Sequence, residues 1–313
     1  MIKRTKQFIE VKERINGNLY TIRLDPRNAK KDCINITTHG HSDHIPNYIE
    51  SDTLICTEIT KRMIEFYRGI CEFTSQEGFE NDDLSINLYD AGHCLGAKMA
   101  FIVNKESGHR ILYTGDYNPR SRYCGRANPI KCDTLIIDST YGDDKYSFPD
   151  YETSVKDFIN YLKENFDQKI AIITYNLGKP QEIAQILESH GIRFSIDPKL
   201  KKINDLLGLE YNYEDTNSNF LITRANKRGM LNISASGWAI NSGFVYARDI
   251  DRGFVISDHA DFNDSINFIS QCSPERVYTV FGSNKKFAKL IERELGIKSI
   301  PLIVGQHSLD SYF

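Results

Sequence analysis

The sequence predicts an α/β protein in which both ends of the chain form a strand-rich body around an inserted α/β unit. Short apolar strands dominate the first 150 residues, strands and helices alternate after Pro149, and further strands and helices follow Gly237. The chain has 313 residues, more than the usual domain size of about 100–200 residues, so a large domain or a domain with an insertion is expected. We place the predicted boundaries at 1–150, 151–236 and 237–313.

The first part is expected to consist mainly of strands. An Asn16-Gly17 pair between FIEVKERI and NLYTIRLD is typical of a β-hairpin turn. The apolar runs that follow predict short strands, namely INITT, TLICT, SINLYDA, KMAFIV, RILYTGD and TLIIDST. One helix is expected among them, near residues 57–68.

The second part has a different pattern. YETSVKDFINYLKENF and PQEIAQILESH have helical spacing, whereas KIAIITY and NFLIT are typical of strands. This alternation predicts βαβ connections and hence a second unit. After Gly237, strands are predicted at GFVIS and RVYTVFG, and helices at FNDSINFISQC and NKKFAKLIEREL.

Composition and charge narrow the kind of protein. The net charge is −3, so nucleic-acid binding would depend on local basic patches rather than on an overall basic field. The seven cysteines are scattered without a C-x-x-C pair, which argues against a disulfide framework or a cysteine zinc module. The sequence opens with charged residues and lacks an apolar run of about 18 residues. We therefore expect a soluble cytoplasmic protein with no signal peptide, no membrane contact and no obligatory protein partner.

Three histidines and an aspartate crowd six positions after the strand INITT, namely His39, His41, Asp43 and His44. In an extended segment, side chains two apart point to the same side, so His39 and His41 can converge on one ion. Asp43 and His44 follow a bend and face a neighbouring ion instead. Imidazole and carboxylate are ligands of zinc or a similar divalent ion, and an open coordination position indicates catalysis. The spacing predicts two adjacent metals, against the alternative of a polar loop with capping histidines.

Two later strand ends offer further ligands. His93 in YDAGHCLGA and Asp116 in ILYTGDY each follow a predicted strand, and the carboxylate of Asp116 could bridge two ions. Upstream, Asp25 ends the strand YTIRLD and is placed to orient a ligand histidine. The alternative for Asp25 is an ordinary turn aspartate before Pro26.

Asp25, the H-x-H-x-D-H run of residues 39–44, His93 and Asp116 follow the order found in the metallo-β-lactamase superfamily, which the first half of the chain resembles. The resemblance implies an αββα sandwich with a dinuclear site at one edge of its sheets, and metal-assisted hydrolysis. Because the superfamily includes thioesterases, lactamases and nucleases, it does not name the substrate.

Later motifs resemble one branch of that superfamily, the β-CASP nucleases. Asp138 in LIIDSTYG matches the first acidic motif of the branch, and His259 in ISDHADF matches its first histidine motif. The resemblance implies that the inserted unit covers the metals and forms a nucleic-acid cleft. A histidine and an acid beside the metals could position the scissile phosphate and protonate the leaving oxygen. Taken singly, each residue could instead be a loop cap.

The sequence has features of both DNA-directed and RNA-directed members of this branch. RNA-cleaving members typically carry a metal-binding histidine in a V-H-G context, where this chain has Phe281 in VYTVFGS. The Artemis and crosslink-repair nucleases similarly have an apolar residue there, and DSTYGDDKYSFP, the cysteine of GHCLGA and YNLGKPQEI resemble segments of those enzymes. In contrast, the leucine of GHCLGA and the SDHADF form resemble RNA-processing members and ligase-associated bacterial exonucleases.

Basic and hydroxyl side chains near these motifs are candidates for substrate contacts. The loop NPRSRYCGR could hold a nucleic-acid backbone and stack a base, through Arg120, Arg122, Arg126 and Tyr123. Ser139 and Thr140 could donate hydrogen bonds to a terminal phosphate, and Lys179 is a candidate from the inserted unit. The alternatives are a solvated loop for the arginines and a capping role for the hydroxyls.

The sequence therefore predicts a metal-dependent nuclease that hydrolyses DNA, and the resemblance implies a 5′-to-3′ exonuclease of DNA repair. The predicted partner is nucleic acid, with DNA favoured over RNA. The predicted cofactor is zinc, with one or two divalent ions per chain and with manganese or magnesium as alternatives. The predicted catalytic residues are Asp43, Asp116, Asp138 and His259, and the predicted metal ligands are His39, His41, Asp43, His44, His93 and Asp116. The alternatives are an RNA nuclease of the same architecture, a small-molecule hydrolase such as a thioesterase, and a nuclease-derived binding protein.

Overall fold

The computed structural model describes residues 1–213 and 218–304. Within these ranges the chain forms twenty strands and seven α-helices, so the predicted α/β class is confirmed. None of the helices in the described ranges combines the length and the apolar composition that crossing a bilayer would require.

Strands outnumber helices along the chain. The strands are β1 (Ile2–Arg4), β2 (Ile9–Ile15), β3 (Asn18–Leu24), β4 (Asn28–Ala29), β5 (Ile34–Ile36), β6 (Tyr48–Ile49), β7 (Thr53–Ile55), β8 (Thr74–Gln76), β9 (Gly78–Glu80), β10 (Leu84–Asp90), β11 (Lys98–Asn104), β12 (Arg110–Tyr113), β13 (Thr134–Asp138), β14 (Ile170–Ile173), β15 (Ser195–Ile196), β16 (Phe220–Thr223), β17 (Leu231–Ala235), β18 (Arg252–Phe254), β19 (Arg276–Val280) and β20 (Lys298–Pro301). The helices are α1 (Glu58–Arg68), α2 (Tyr151–Glu164), α3 (Lys179–Ser189), α4 (Pro198–Leu207), α5 (Ser242–Ala247), α6 (Phe262–Cys272) and α7 (Asn284–Leu295).

The chain divides into two compact units. The first comprises Met1–Lys145 together with the chain from Ala260 onward, and the second comprises Tyr146–His259. The sequence places the second boundary at residue 236, whereas β18 pairs with β17 and so keeps the chain beyond 236 in the second unit. A run of alternating strands and helices does not show where the last strand of an inserted sheet ends, which accounts for the difference.

Two main sheets build the first unit. One has the order β1-β2-β3-β5-β7-β8 and the other has the order β20-β19-β13-β12-β11-β10-β9. The predicted hairpin is confirmed, because β2 and β3 are antiparallel and pair Ile15 with Asn18 around the turn. Both turn residues have positive φ, 49° at Asn16 and 83° at Gly17, as a two-residue hairpin turn with this sequence requires.

The two sheets of the first unit share one apolar core. Val11 and Ile22 from the first sheet belong to the same buried cluster as Ile102 and Ile136 from the second. Alternating side chains make this possible, because one face of each strand can be apolar while the other is polar. Burial of these side chains stabilises the contact between the two sheets, at about 25 cal/mol per Å² of apolar surface removed from water.

Capping residues determine where α1 begins and ends and where α6 begins. Helix α1 begins at the predicted position because the Thr57 side chain accepts a hydrogen bond from the Thr60 amide, and it ends at Gly69 in the left-handed conformation. Met63 and Ile64 are its buried apolar side chains. Near the other end of the chain, Asp261 caps α6 and forms a capping box with Asp264.

The second unit contains a parallel sheet with the order β15-β16-β14-β17-β18. Its core is a separate apolar cluster that includes Phe158 of α2, Ile183 of α3 and Ile222 of β16. The predicted βαβ alternation is confirmed in this unit. Helix α4 begins where the Asp197 side chain accepts a hydrogen bond from the Lys199 amide and Pro198 occupies the first turn. Three of its residues are buried, namely Leu200, Ile203 and Asn204.

Candidate metal centre

The candidate site lies where the carboxyl ends of strands from both sheets of the first unit meet. In one sheet β3, β5 and β7 are parallel, and Asp25 and His39 follow the ends of β3 and β5. In the other, β12, β13 and β19 are parallel, and Asp116, Asp138 and Phe281 follow or end these strands. Parallel strands deliver their last residues to one edge, so residues far apart in sequence come together.

Three histidines and one carboxylate form a compact group of ligand atoms. His39, His41, His93 and Asp116 each offer one atom, and these atoms lie within 4.8 Å of one another. Nε2 of His93 lies 3.0 Å from Nδ1 of His41. Oδ2 of Asp116 lies 3.7 Å from Nε2 of His39 and 3.6 Å from Nε2 of His93. Two ligands that share a tetrahedral zinc at about 2.0–2.1 Å are roughly 3.3–3.4 Å apart, so the group is able to hold a divalent ion.

Asp116 also adjoins the histidine predicted for a second ion. Nε2 of His44 lies 3.6 Å from the same Oδ2 atom of Asp116. His44 is buried, whereas its neighbour Asp43 is exposed and lines a cavity together with His44 and Asp116. The carboxylate of Asp116 is therefore placed between the three-histidine group and His44. The division of these residues between two ions stays a prediction.

Asp25 orients His44 through a buried contact. Oδ2 of Asp25 lies 2.9 Å from Nδ1 of His44 and also accepts a hydrogen bond from the Tyr113 hydroxyl at 2.7 Å. The backbone amide of Thr38 donates to Oδ1 at 2.7 Å. With a carboxylate on Nδ1, the imidazole carries its proton there and directs Nε2 towards Asp116.

Thr38 and Tyr113 belong to this site and are not identified by the sequence motifs. The Thr38 hydroxyl lies 3.0 Å from Nδ1 of His39 and 3.0 Å from both carboxylate oxygens of Asp25. Tyr113 is fully buried, and burial together with Asp25 raises its pKa well above the usual value, so its hydroxyl stays a donor. The only signal in the sequence is position, because Thr38 directly precedes His39 and Tyr113 lies three residues before Asp116.

The carboxylates around His44 favour a positive charge on its imidazole. Burial alone would lower the pKa of His44, but Asp116 and Asp25 outweigh burial and raise that pKa to about 10. The same carboxylates would attract a divalent cation next to the imidazole.

A close approach of two loops holds His93 near Asp116. Gly92 has φ of 72°, and a Cβ at this position would lie 2.2 Å from the carbonyl oxygen of Asn118. The Asn118 amide in turn donates to the Ala91 carbonyl at 2.7 Å. Only glycine permits this approach, so Gly92 lets the loop that carries His93 pack against the loop after Asp116.

Asp138 and its neighbours make mostly internal hydrogen bonds. Oδ1 of Asp138 accepts from the Thr140 amide at 2.9 Å and from the Thr140 hydroxyl at 2.8 Å. The buried Ser139 hydroxyl donates to the carbonyls of Val280 at 2.6 Å and Phe281 at 3.0 Å. The two hydroxyls predicted to contact a terminal phosphate thus donate hydrogen bonds to protein groups.

Phe281 occupies the position where RNA-directed members of the branch are expected to have a histidine. Its ring lies 5.4 Å from that of His44 in an edge-on arrangement. Its φ is 63°, which is unusual for a bulky side chain and indicates backbone strain. The next residue, Gly282, approaches the Ser139 carbonyl so closely that a Cβ would lie 2.3 Å from its oxygen. The loop after β19 is therefore held against the loop after β13.

The three predicted arginines differ in their surroundings. The guanidinium of Arg120 contacts Asp264 at 2.6 Å and Asp261 at 3.2 Å, so its charge is already balanced by two carboxylates. Nε of Arg126 donates to the Ser121 carbonyl at 3.2 Å. Arg122 and Arg126 are exposed, and these two keep the accessibility that a phosphate contact needs.

The two predicted residues in the second unit are Lys179 and His259. Lys179 is buried and pairs with Glu182, so it is not at the surface as a substrate contact would require. His259 is half-buried and is the last residue of that unit, and its amide donates to the Ser257 hydroxyl at 3.1 Å. Its predicted catalytic role rests on the sequence.

Comparison with known proteins gives three informative relatives, although no family model matches the chain. A probable DNA ligase of Opitutus terrae is 26% identical over 289 residues, which cover 84% of this chain and 28% of that protein. The DNA cross-link repair 1A protein of Mus musculus is 27% identical over 225 residues, 66% of this chain and 21% of that protein. An RNase J-like protein of Methanocaldococcus jannaschii is 28% identical over 184 residues, 50% of this chain and 43% of that protein.

The chain thus spans less than half the length of each of these relatives. A crystal structure of a protein of unknown function from Enterococcus faecalis V583 superposes with a TM-score of 0.63 over 98% of this chain and 97% of that one. At 13% identity this likeness shows the fold alone. Relatives named for DNA cross-link repair and for RNase J are those that the sequence motifs predict, so the resemblance to the β-CASP branch of the metallo-β-lactamase superfamily is confirmed.

Proposed function

We propose that the chain is a metal-dependent nuclease that hydrolyses phosphodiester bonds of DNA from a 5′ end and acts in DNA repair. The observation that carries the proposal is the group formed by His39, His41, His93 and Asp116, with His44 beside it. This donor set suits zinc, with manganese or magnesium as alternatives. In this proposal the first unit is an αββα sandwich and the second unit is the β-CASP insertion.

We assign one ion to the three histidines of that group and a second to Asp43 and His44, with Asp116 touching both. A divalent ion in such a site polarises a phosphoryl oxygen and makes a bound water more acidic. The residues of the chain then have separate tasks. Asp25 fixes the ring of His44, and Asp138, at the end of β13, is assigned to positioning of the phosphate. The assignment of His259 to the leaving oxygen rests on its sequence motif.

The structural contacts support a smaller set of substrate residues than the sequence suggests. Arg122 and Arg126 are exposed and are retained as phosphate contacts. Arg120 is held by two carboxylates, and we assign it to anchoring its loop on α6. Lys179, Ser139 and Thr140 bind protein groups and are assigned to structural roles.

DNA is proposed as the substrate because two relatives that match 84% and 66% of this chain carry DNA in their names and because Phe281 adds no metal ligand. An RNA nuclease is the second candidate, since the RNase J-like relative matches half of the chain. We test the choice by digesting end-labelled DNA and RNA strands of one sequence, with and without a 5′ phosphate, alongside circular strands.

We expect DNA to be degraded faster than RNA, products to appear successively from the 5′ end, and circular strands to remain uncut. If RNA is cut at least as fast as DNA, the RNA candidate replaces the DNA one. Ready cleavage of circles contradicts the exonuclease assignment. Hydrolysis of thioesters in place of either polymer would contradict the nuclease function itself.

A further inference from the structure

A cavity of about 310 Å³ lies in the first unit beside the candidate metal centre. We call it the hairpin cavity, because the turn between β1 and β2 forms one of its walls. Its lining includes three basic residues, Arg4, Lys6 and Arg27, together with His44, Thr140 and Phe281. The volume falls at the lower end of the range for ligand pockets, about 300–1,000 Å³.

The basic residues of the hairpin cavity are held there by defined contacts. The guanidinium of Arg4 lies 4.8 Å from the centre of the Phe281 ring, in a cation–π arrangement. Nη1 of Arg27 donates to the Ser42 carbonyl at 2.9 Å, one residue before Asp43. Lys6 is exposed in the turn. Two of the three cations are thus positioned by the same residues that flank the metal centre.

Backbone carbonyls accept hydrogen bonds from two of these cations, Arg4 to Leu302 at 3.5 Å and Arg27 to Ser42 at 2.9 Å, but these contacts do not neutralise the charges. Among the residues that the structure describes, no carboxylate forms an ion pair with Arg4, Lys6 or Arg27, whereas Lys3, on the same strand as Arg4, pairs with Glu10 at 2.9 Å. Arg4 is half-buried, and burial lowers the pKa of its guanidinium. Keeping a cation where its environment disfavours the charge is costly, so an anionic ligand is the natural counterpart.

From this arrangement we infer that the hairpin cavity binds a phosphate group of the nucleic-acid substrate, next to the phosphate held at the metal centre. The inference rests on the proposed function. Asp43 and Asp116 also line the cavity and would repel a phosphate in the absence of metal. We therefore assign the phosphate to Arg4 and Lys6, and its binding should tighten when the metal sites are filled. A terminal 5′ phosphate and an internal phosphate share this chemistry.

The test is equilibrium binding of short single strands that carry a 3′ fluorophore, in chelator so that metal-dependent cleavage cannot interfere. Strands with a 5′ phosphate and with a 5′ hydroxyl are compared on wild type, Arg4→Gln and Lys6→Gln, with Lys3→Gln as the matched control. We expect each cavity variant to weaken binding about tenfold, and the log–log salt slope to fall by about 0.7 per lost contact. Arg4→Lys should recover most of the affinity.

The pattern across strands identifies the source of the phosphate. Loss confined to the 5′-phosphorylated strand supports a terminal phosphate, and equal loss on both strands supports an internal one. The inference is overturned if Arg4→Gln and Lys6→Gln both bind the strands as tightly as Lys3→Gln does. Lys6 is exposed in a turn, so Lys6→Gln leaves the fold intact and keeps the test decisive even if Arg4→Gln is unstable.

Failure of the inference can be told apart from failure of the proposed function. Inorganic phosphate is titrated against each protein while thermal unfolding is followed. A wild type that cuts no nucleic acid but gains thermal stability from phosphate through Arg4 and Lys6 would contradict the nuclease and leave the cavity site standing. A wild type that cuts DNA, with cavity variants that bind and respond like Lys3→Gln, would contradict the cavity site and leave the nuclease standing.

Discussion

Oδ2 of Asp25 lies 2.9 Å from Nδ1 of His44, and this buried contact decides which nitrogen of the imidazole faces Asp116. The two residues come from different strand ends of one sheet. Because Nδ1 is occupied, Nε2 is the atom that lies 3.6 Å from the Asp116 carboxylate. Asp25 therefore orients the histidine that we assign to the second ion.

We expect Asp25→Asn to weaken metal binding about 10- to 100-fold, as loss of a carboxylate behind a ligand histidine usually does. Asparagine is the appropriate replacement because residue 25 has φ of 47°, and asparagine tolerates this region. Zinc affinity is measured by competition with a coloured chelator, with Asp52→Asn, an exposed aspartate, as the control. Equal affinity in the two variants would show that Asp25 only shapes the turn.

Asp116→Asn is expected to remove most of the bound metal and to lower phosphodiester hydrolysis by roughly a thousandfold or more, because the charge stabilisation that a metal supplies is worth several kcal/mol. Its Oδ2 atom is within 3.7 Å of Nε2 of His39, His44 and His93, so one charge serves several ligands. Elemental analysis measures the metal content of the variant, and the rate of phosphodiester hydrolysis is measured alongside it.

Asp90→Asn is the control for that experiment, because Asp90 is an exposed carboxylate at the end of β10 in the same sheet. It should keep both metal and rate. Full metal occupancy in Asp116→Asn would contradict the placement of Asp116 between two ions.

The short-range part of the site could be predicted from the sequence. His39, His41 and His44 lie within six residues, so strand alternation and one bend are enough to bring them together. His93 and Asp116 each follow a strand, and the structure brings the carboxyl ends of those strands to one edge. The fold class and the Asn16-Gly17 hairpin depend on equally local signals, which is why they too could be predicted.

What could not be predicted depends on partners that are distant in sequence. Arg120 looks like a free basic residue in its loop, but Asp261, its partner, is 141 residues away. Ser139 looks like a free hydroxyl until it meets the Val280 carbonyl. A sequence shows which residues carry charge or hydrogen-bonding groups, but not which of them the fold has already paired.

That pairing of Arg120 leads to a stability prediction. Arg120→Gln should destabilise the first unit by about 1–3 kcal/mol, since it leaves the buried carboxylate of Asp261 and the half-buried carboxylate of Asp264 without their charged donor. Arg122→Gln, at an exposed position, is the control and should change stability by less than about 0.5 kcal/mol. Thermal and urea unfolding measure both.

The loss of stability caused by Arg120→Gln should grow with pH. Burial and the neighbouring Asp261 raise the pKa of Asp264 to about 6, against the opposing effect of Arg120. A carboxyl with a raised pKa stabilises the fold while it is protonated, and this contribution is lost as pH rises through about 6. Without Arg120 the ionised pair is less favourable still, so the variant should differ more from wild type at pH 8 than at pH 5. An effect independent of pH would indicate lost packing rather than lost charge pairing.

The last prediction concerns Phe281→His, which would place a histidine beside the predicted second ion, where RNA-directed members of the branch are expected to carry a metal ligand. The Phe281 ring already lies 5.4 Å from the ring of His44, so an imidazole there would stand beside the second predicted ion. Residue 281 has positive φ, and histidine is found in this region more readily than phenylalanine. The side chain also packs against the shared core and contacts Arg4, so the metal-free variant should be less stable than wild type.

Zinc should restore the stability that the metal-free Phe281→His variant loses. We expect the thermal midpoint of Phe281→His to rise with zinc by more than that of wild type, because an added ligand tightens binding to the folded state alone. Phe281→Leu is the matched control, since it removes the ring without adding a ligand and should show no extra response. If the ligand also sets substrate choice, Phe281→His should cut RNA faster than wild type does. Equal zinc responses in the histidine and leucine variants would show that residue 281 lies out of reach of the second ion.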